Sequence, residues 1–378
     1  MRQTQENKEE GIGFFELNLE VVLTDEEGNQ VKKVIKTDEG KEISSEEFEL
    51  NSKLKCLEVD PQHKLLFEIE SMEGVSDELI SSTIENSESL FNQIHGARIL
   101  TKKANRSSLN LLKSSLEKVR GKSHSGLFSE VAESLSEVVN NDTVDLFCSL
   151  FSKEKNNYAR FSFANASLKF GKDERVRETL LVFLKEDNMG YRAKAKAFVG
   201  LGKQQKEEDF EMLLKESLRE DGFFHIERNG ALQGIAAFEN ERAFDELKKR
   251  VEHGVEPQES RATALLSFAS VAASIGEKKK VKEAKEKLLK IASTSDNANY
   301  NYFVRRAAVE GLVLIGESDV ISTLESIKPL FVNQDQPWLT RKMKVLKEKK
   351  KKEEEELKSE LNSLKEKISS LEKKLRTE

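Results

Sequence analysis

Ser260-Arg261-Ala262-Thr263-Ala264 is the most telling short segment of this 378-residue chain. An arginine precedes a small alanine by three positions, and an apolar run then leads to Gly276. The same unit returns as Tyr191-Arg192-Ala193-Lys194-Ala195, Glu227-Arg228-Asn229-Gly230-Ala231 and Val304-Arg305-Arg306-Ala307-Ala308, with a looser copy in Tyr158-Ala159-Arg160-Phe161-Ser162-Phe163-Ala164. The arginines at 160, 192, 228, 261 and 305 are separated by 32, 36, 33 and 44 residues. Recurrence at such intervals marks a repeat architecture.

The unit has a simple physical reading. Alanine lets two helix axes approach closely where a bulkier side chain would hold them apart. The glycines Gly171, Gly202, Gly276 and Gly316 suit a left-handed residue just past a helix end. Asp187, Asp221 and Asp296 stand upstream of Arg192, Arg228 and Arg305. They are expected to cap helices and to form an exposed Asp–Arg ladder that sets register more than stability. A single two-helix unit cannot bury its own apolar stripe, whereas stacked units build a continuous core. Residues 62–256 contain no proline, which agrees with long helical packing.

The chain before the repeat alternates with a period of two. Phe14 to Val21, Val31 to Lys36, Glu47 to Leu50, Leu54 to Val59 and Lys64 to Ile69 read as five short strands. Turns are expected at Asp25-Glu26-Glu27-Gly28-Asn29 and Asp38-Glu39-Gly40. This predicts a small antiparallel β-sandwich over 12–72, preceded by a disordered N-terminus at 1–11. About sixty residues are few for an independent core, so the module should lean on the helices that follow. Behind the repeats, 339–378 read as one charged helix. Leu357, Leu361, Leu364, Ile368, Leu371 and Leu375 alternate steps of four and three, a seam that reads as a dimerising or partner-binding coiled coil, with a solvated helix folded back to cap the repeats as the alternative. Lys349 to Lys352 face Glu353 to Glu356 four positions on, so the charges offset one another.

The Arg-x-x-Ala helix starts resemble the HEAT-repeat family over about residues 85–330, which implies an α-α superhelix, an α-solenoid of 76–335. The order of parts resembles more narrowly the non-catalytic C-terminal half of aminopeptidase N-type zinc metallopeptidases. The residues that carry this are Cys56-Leu57-Glu58-Val59-Asp60-Pro61, Leu65-Leu66-Phe67-Glu68-Ile69 and Lys215 to Phe224, across 12–335. That family holds zinc with His-Glu-x-x-His and grips the peptide with Gly-x-Met-Glu-Asn, and neither motif occurs in this sequence. No catalytic residue carries over.

The remaining signals agree with a binding protein. The five histidines, His63, His95, His124, His225 and His253, stand alone without metal spacing. The two cysteines, Cys56 and Cys148, form no CxxC pair and read as small buried residues in a reducing compartment. No Gly-x-Ser-x-Gly elbow or glycine-rich phosphate loop is present. Catalytic, cofactor-binding and metal residues are therefore expected to be none. A net charge of −6 gives no reason to expect nucleic acid, and no run is apolar enough to cross a membrane. The N-terminal decapeptide lacks an apolar stretch, so no secretory signal is expected and the location is read as cytoplasmic. Phe223, Phe224, Tyr300, Tyr302 and Phe303 are read chiefly as interhelical packing, with a peptide groove as the sharper alternative; Trp338 is read as packing at the end of the repeats. The expected function is a non-catalytic scaffold that binds a protein or peptide, with a homo-oligomer through the C-terminal helix. The alternative is a C-terminal or accessory part of an aminopeptidase.

Overall fold

The computed structural model describes residues 2–3, 15–37, 43–122, 124–186, 189–220, 222–294 and 302–377. The protein is mainly helical with one small sheet, and its chain divides into two compact units, Met1–Gly200 and Leu201–Glu378. Among the described residues, no helix is long and apolar enough to cross a membrane.

The first unit opens with three strands, β1 (Asn18–Asp25), β2 (Gln30–Lys36) and β3 (Leu54–Val59), in the antiparallel order β2-β1-β3. The β1–β2 turn forms as the sequence predicts. Gly28 sits at φ +89°, and the Asp25 carboxylate accepts the Glu27 and Asn29 amides at 3.0 and 2.8 Å. Buried Glu20 on β1 is paired with Lys32 at 2.7 Å and Lys64 at 3.3 Å.

The expected five-stranded sandwich is corrected to this single sheet. Glu47–Leu50 and Lys64–Ile69 form no strand, for two local reasons. The free edge of β3 is already satisfied by side chains of the first two helices: Leu57 N–H donates to Thr83 Oγ1 at 3.1 Å, and Val59 exchanges two bonds with the Asn92 amide at 2.8 and 3.1 Å. A covered edge accepts no further strand. Residues 47–48 are instead held by Lys33, which donates to the Glu47 carbonyl and lies over the Phe48 ring. The Asp38-Glu39-Gly40 turn, Phe14 and most of the expected disordered stretch 1–11 fall outside the described residues. Gln3 is described, and its amide bonds both backbone groups of Phe15 at 2.9 Å.

Helices α1 (Asp77–Asn86), α2 (Leu90–Lys103), α3 (Arg106–Val119), α4 (Ser125–Glu137), α5 (Asn141–Phe151), α6 (Asn157–Ala166) and α7 (Glu174–Leu184) follow. Ser76, Ser89, Asn105, Asn140, Asn156 and Asp173 each accept a first-turn amide with their side chains, so the starts are locally encoded. Helices pack against neighbours one or two places along the chain, including α1 on α2 and α3, α2 on α4, α3 on α5, α4 on α6 and α5 on α7. Phe147, Phe151 and Phe163 are fully buried in the core they share.

Helix α8 (Tyr191–Gln204) crosses the division between the units. The second unit then holds α9 (Glu207–Glu216), α10 (Ile226–Ala236), α11 (Glu241–Arg250), α12 (Gln258–Ile275), α13 (Lys278–Ser293), α14 (Tyr302–Ile315), α15 (Ile321–Ile327) and α16 (Gln336–Thr377). The same pattern of contacts holds: α10 on α12, α12 on α14, α11 on α12 and α13 on α14. Polar links recur at the repeat interval. Lys118–Glu85 and Lys153–Glu117 pair at 2.8 Å in the first unit, and Arg242 with Glu207 and Lys287 with Glu252 in the second.

Two expectations about the repeat change. Gly171, Gly276 and Gly316 take positive φ at helix ends, but Gly202 lies inside α8. Its lack of a side chain serves a close backbone contact instead. The arginine anchors also differ from an exposed ladder. Arg160, Arg228, Arg261 and Arg305 are buried, while Arg192 is exposed beside the Tyr191 ring. Each buried guanidinium donates to a carbonyl at or just after the preceding helix end: Arg160 to Glu154 at 2.8 Å, Arg228 to Arg219 at 3.2 Å, Arg261 to Val251 at 2.9 Å, and Arg305 to Thr294 at 2.7 Å. The last carbonyls of a helix have no intrahelical partner, and a planar multi-donor side chain is well suited to them. Asp187, Asp221 and Asp296 fall outside the described residues. Among the described residues, Glu186 pairs with Arg160 and Glu256 with Arg228.

Candidate interaction surface

Three places concentrate side chains that chemistry can use, two in the second unit and one in the first. In the second unit, Gly222 (φ +131°), Phe224 (φ +49°) and His225 (φ +55°) break the chain before α10. Left-handed backbone is uncommon for a bulky aromatic residue and costs about 1–2 kcal/mol. The outcome is a pair of perpendicular rings, Phe223 and Phe224, with centroids 4.6 Å apart. Phe224 remains 65 % exposed.

A second aromatic group begins α14 and α16. Tyr302 and Phe303 lie 5.3 Å apart, and Phe303 is 61 % exposed. Arg306, one turn along α14, donates to the Tyr302 hydroxyl at 2.5 Å, and its guanidinium lies 4.4 Å from the Trp338 ring. Lys342 covers the same indole at 5.8 Å, while the Tyr302 hydroxyl also bonds Asp335 at 2.9 Å. Two cations thus flank one partly exposed indole, an arrangement stabilised by the ring quadrupole. Trp338 packs near Phe331 at the end of the repeats, as expected from sequence, with centroids 6.1 Å apart. Phe223, Phe224 and Phe303 are corrected from packing residues to solvent-facing ones; Tyr300 falls outside the described residues. The signal for Arg306 and Lys342 was present, since Arg306 follows an anchor and Lys342 stands four positions after Trp338.

In the first unit, a cleft of about 400 Å³ is lined by His63, Phe67, Glu68, Phe91, His95, Arg98 and Glu130, among others. The edge-to-face contacts Phe91–His63 (4.6 Å), Phe91–His95 (4.1 Å) and Phe91–Phe67 (5.4 Å) form its wall. Arg98 bridges Glu130 at 2.5 Å and Glu68 at 3.5 Å. Burial, helped by the Arg98 charge, lowers the His95 pKa to about 4, so this imidazole is neutral near pH 7. Two histidines that read as isolated in sequence therefore share one cleft, because residues 60–69 fold back along α2. His124 caps α4 through Nδ1 at 3.0 Å, and His253 is exposed.

The thiols are poor nucleophiles. Burial pushes the Cys56 pKa up to about 12 and raises that of Cys148, which is half-buried rather than buried as expected. Among the described residues, no group of three or more His, Cys, Asp and Glu side chains is placed to hold a metal ion.

No family model and no curated protein matches this chain. Among solved structures, it is similar to human deoxyhypusine hydroxylase in complex with glycerol, at 13 % identity and a TM-score of 0.30, over 72 % of this chain and 95 % of that one. A TM-score of 0.30 is too low for that enzyme's chemistry to bear on this chain.

Proposed function

We propose that this chain is a HEAT-type α-solenoid that works as a non-catalytic scaffold, binding a protein or peptide through the exposed aromatic residues at its helix starts, with the C-terminal helix as its means of self-association. The observation that carries the reading is Phe224, a large ring held toward solvent by left-handed backbone. Strain of this kind persists where the surroundings enforce it and is concentrated at working surfaces. Trp, Tyr and Arg, the residues gathered around Trp338, are also those that dominate binding energy at protein interfaces. The free thiols suit a reducing cytosol.

The test is affinity capture from native lysate with the wild-type chain beside Phe224→Asp and Phe303→Asp. A protein recovered specifically by wild type, and at least about tenfold less by either folded variant, supports the reading. Equal recovery by all three chains argues against it.

A second reading, an accessory part of an aminopeptidase N-type zinc metallopeptidase, is favoured by the small β module placed directly before paired helices. It predicts faster peptide hydrolysis when this chain is added to a separately encoded catalytic chain. No change in rate would count against it.

A further inference from the structure

We infer that the free end of α16 pairs with the same segment of a second copy as a parallel two-stranded coiled coil. The inference rests on the self-association reading of α16 and is independent of partner capture by the aromatic residues. Leu339, Met343 and Leu346, in the first turns of α16, are buried, and this part of the helix packs on α14 and α15. Leu357 follows Leu339 by five full helical turns, so it continues that packed face. Leu361, Leu364 and Ile368 extend the stripe by steps of four, three and four, yet these four side chains are between 51 and 64 % exposed. One face of one helix is thus sealed by its own chain at the start and bare further on.

Register and charge select a second copy as the occupant. Steps of four and three put Leu357 and Leu364 at d positions and Leu361 and Ile368 at a positions; leucine at d with isoleucine at one a position suits a two-stranded coil, and the flanking charges set its orientation. Glu360 then falls at g and Lys365 at e. In a parallel pair, g of one helix meets the next e of the other, so Glu360 faces Lys365 of the second copy on both sides. An antiparallel pair with Leu364 opposite Ile368 would instead set Lys365 beside Lys365 and Lys367 beside Lys367. Like charges so placed oppose that arrangement.

The experiment is sedimentation velocity on the purified full chain over about 1–200 µM, where a short interface of this kind is half-formed. The wild type should pass from one to two chains per particle, and Leu361→Asp/Leu364→Asp should stay single with its helical circular dichroism retained. Lys365→Glu should raise the midpoint concentration about tenfold, and adding Glu360→Lys should restore it. A wild-type chain that stays single, or a dimer that survives the double Leu→Asp change, overturns self-pairing. Lys365→Glu without rescue by Glu360→Lys overturns the parallel arrangement.

Discussion

Gly202 in α8 and Gly234 in α10 meet backbone to backbone: a Cβ built on Gly202 would lie 2.7 Å from the Gly234 carbonyl carbon. Both residues are helical, so neither is chosen for an unusual φ. The contact exists because glycine alone has no side chain to hold the axes apart. Gly202→Ala should therefore destabilise the chain by more than about 3 kcal/mol, read as a lower denaturant midpoint, because the obstacle is rigid backbone. Gly171→Ala is the contrast. It sits at φ +66° in open space and should lose only about 1–2 kcal/mol.

Glu256 is a buried electrostatic hub of the second unit. Its buried carboxylate accepts from Arg228 at 2.7 Å and from Arg250 at 2.9 Å. Glu256→Ala leaves two buried guanidiniums short of a partner and should cost about 3–5 kcal/mol. Glu207→Ala, which removes an exposed partner of Arg242, should cost less than about 1 kcal/mol. Equal thermal shifts for the two variants would contradict this ranking.

His95 should make stability depend on pH. Its folded pKa, about 4, lies below the ordinary value of 6.5. Between those values the unfolded chain binds the proton and the folded chain does not, so stability falls as pH falls. The contribution is complete above about pH 6.5 and is lost progressively down to about pH 4, by up to about 3 kcal/mol. Denaturant midpoints measured across that window should flatten in His95→Leu relative to wild type.

Trp338 is the only tryptophan in the chain, so its fluorescence reports directly on its surroundings. Arg306→Ala removes the nearer of its two cations and the bond to the Tyr302 hydroxyl. The emission should change while stability drops by about 1–2 kcal/mol. Binding of a captured partner should weaken at least about tenfold, as for a central interface residue. A partner that binds this variant as tightly as wild type would place the surface elsewhere.

Much of the helical architecture was written locally. Apolar periodicity and the Arg-x-x-Ala starts each report on one element and its nearest neighbours, so they are readable along the chain; the serine, asparagine and Asp173 caps were not singled out in the sequence, where Asp187, Asp221 and Asp296 stood as the cap candidates. The C-terminal helix was legible for the same reason: Leu357 to Ile368 keep their spacing whatever they touch. That Phe223 and Phe224 face solvent was not legible, because aromatic residues look alike in sequence whether they face a core or solvent. Gly202 read as a helix terminator because a glycine carries no mark that separates positive φ from close approach.

The residue types and spacings of this chain settle which segments coil and which face of each is apolar, since both follow from interactions within a few positions. Folding alone settled that Thr83 and Asn92 would close the edge of β3, that Glu256 would join Arg228 to Arg250, and that His63 and His95 would share Phe91. Those partners lie on separate elements. Their meeting depends on how the elements stack, a choice made by the summed burial of many side chains and left unsigned by any one of them.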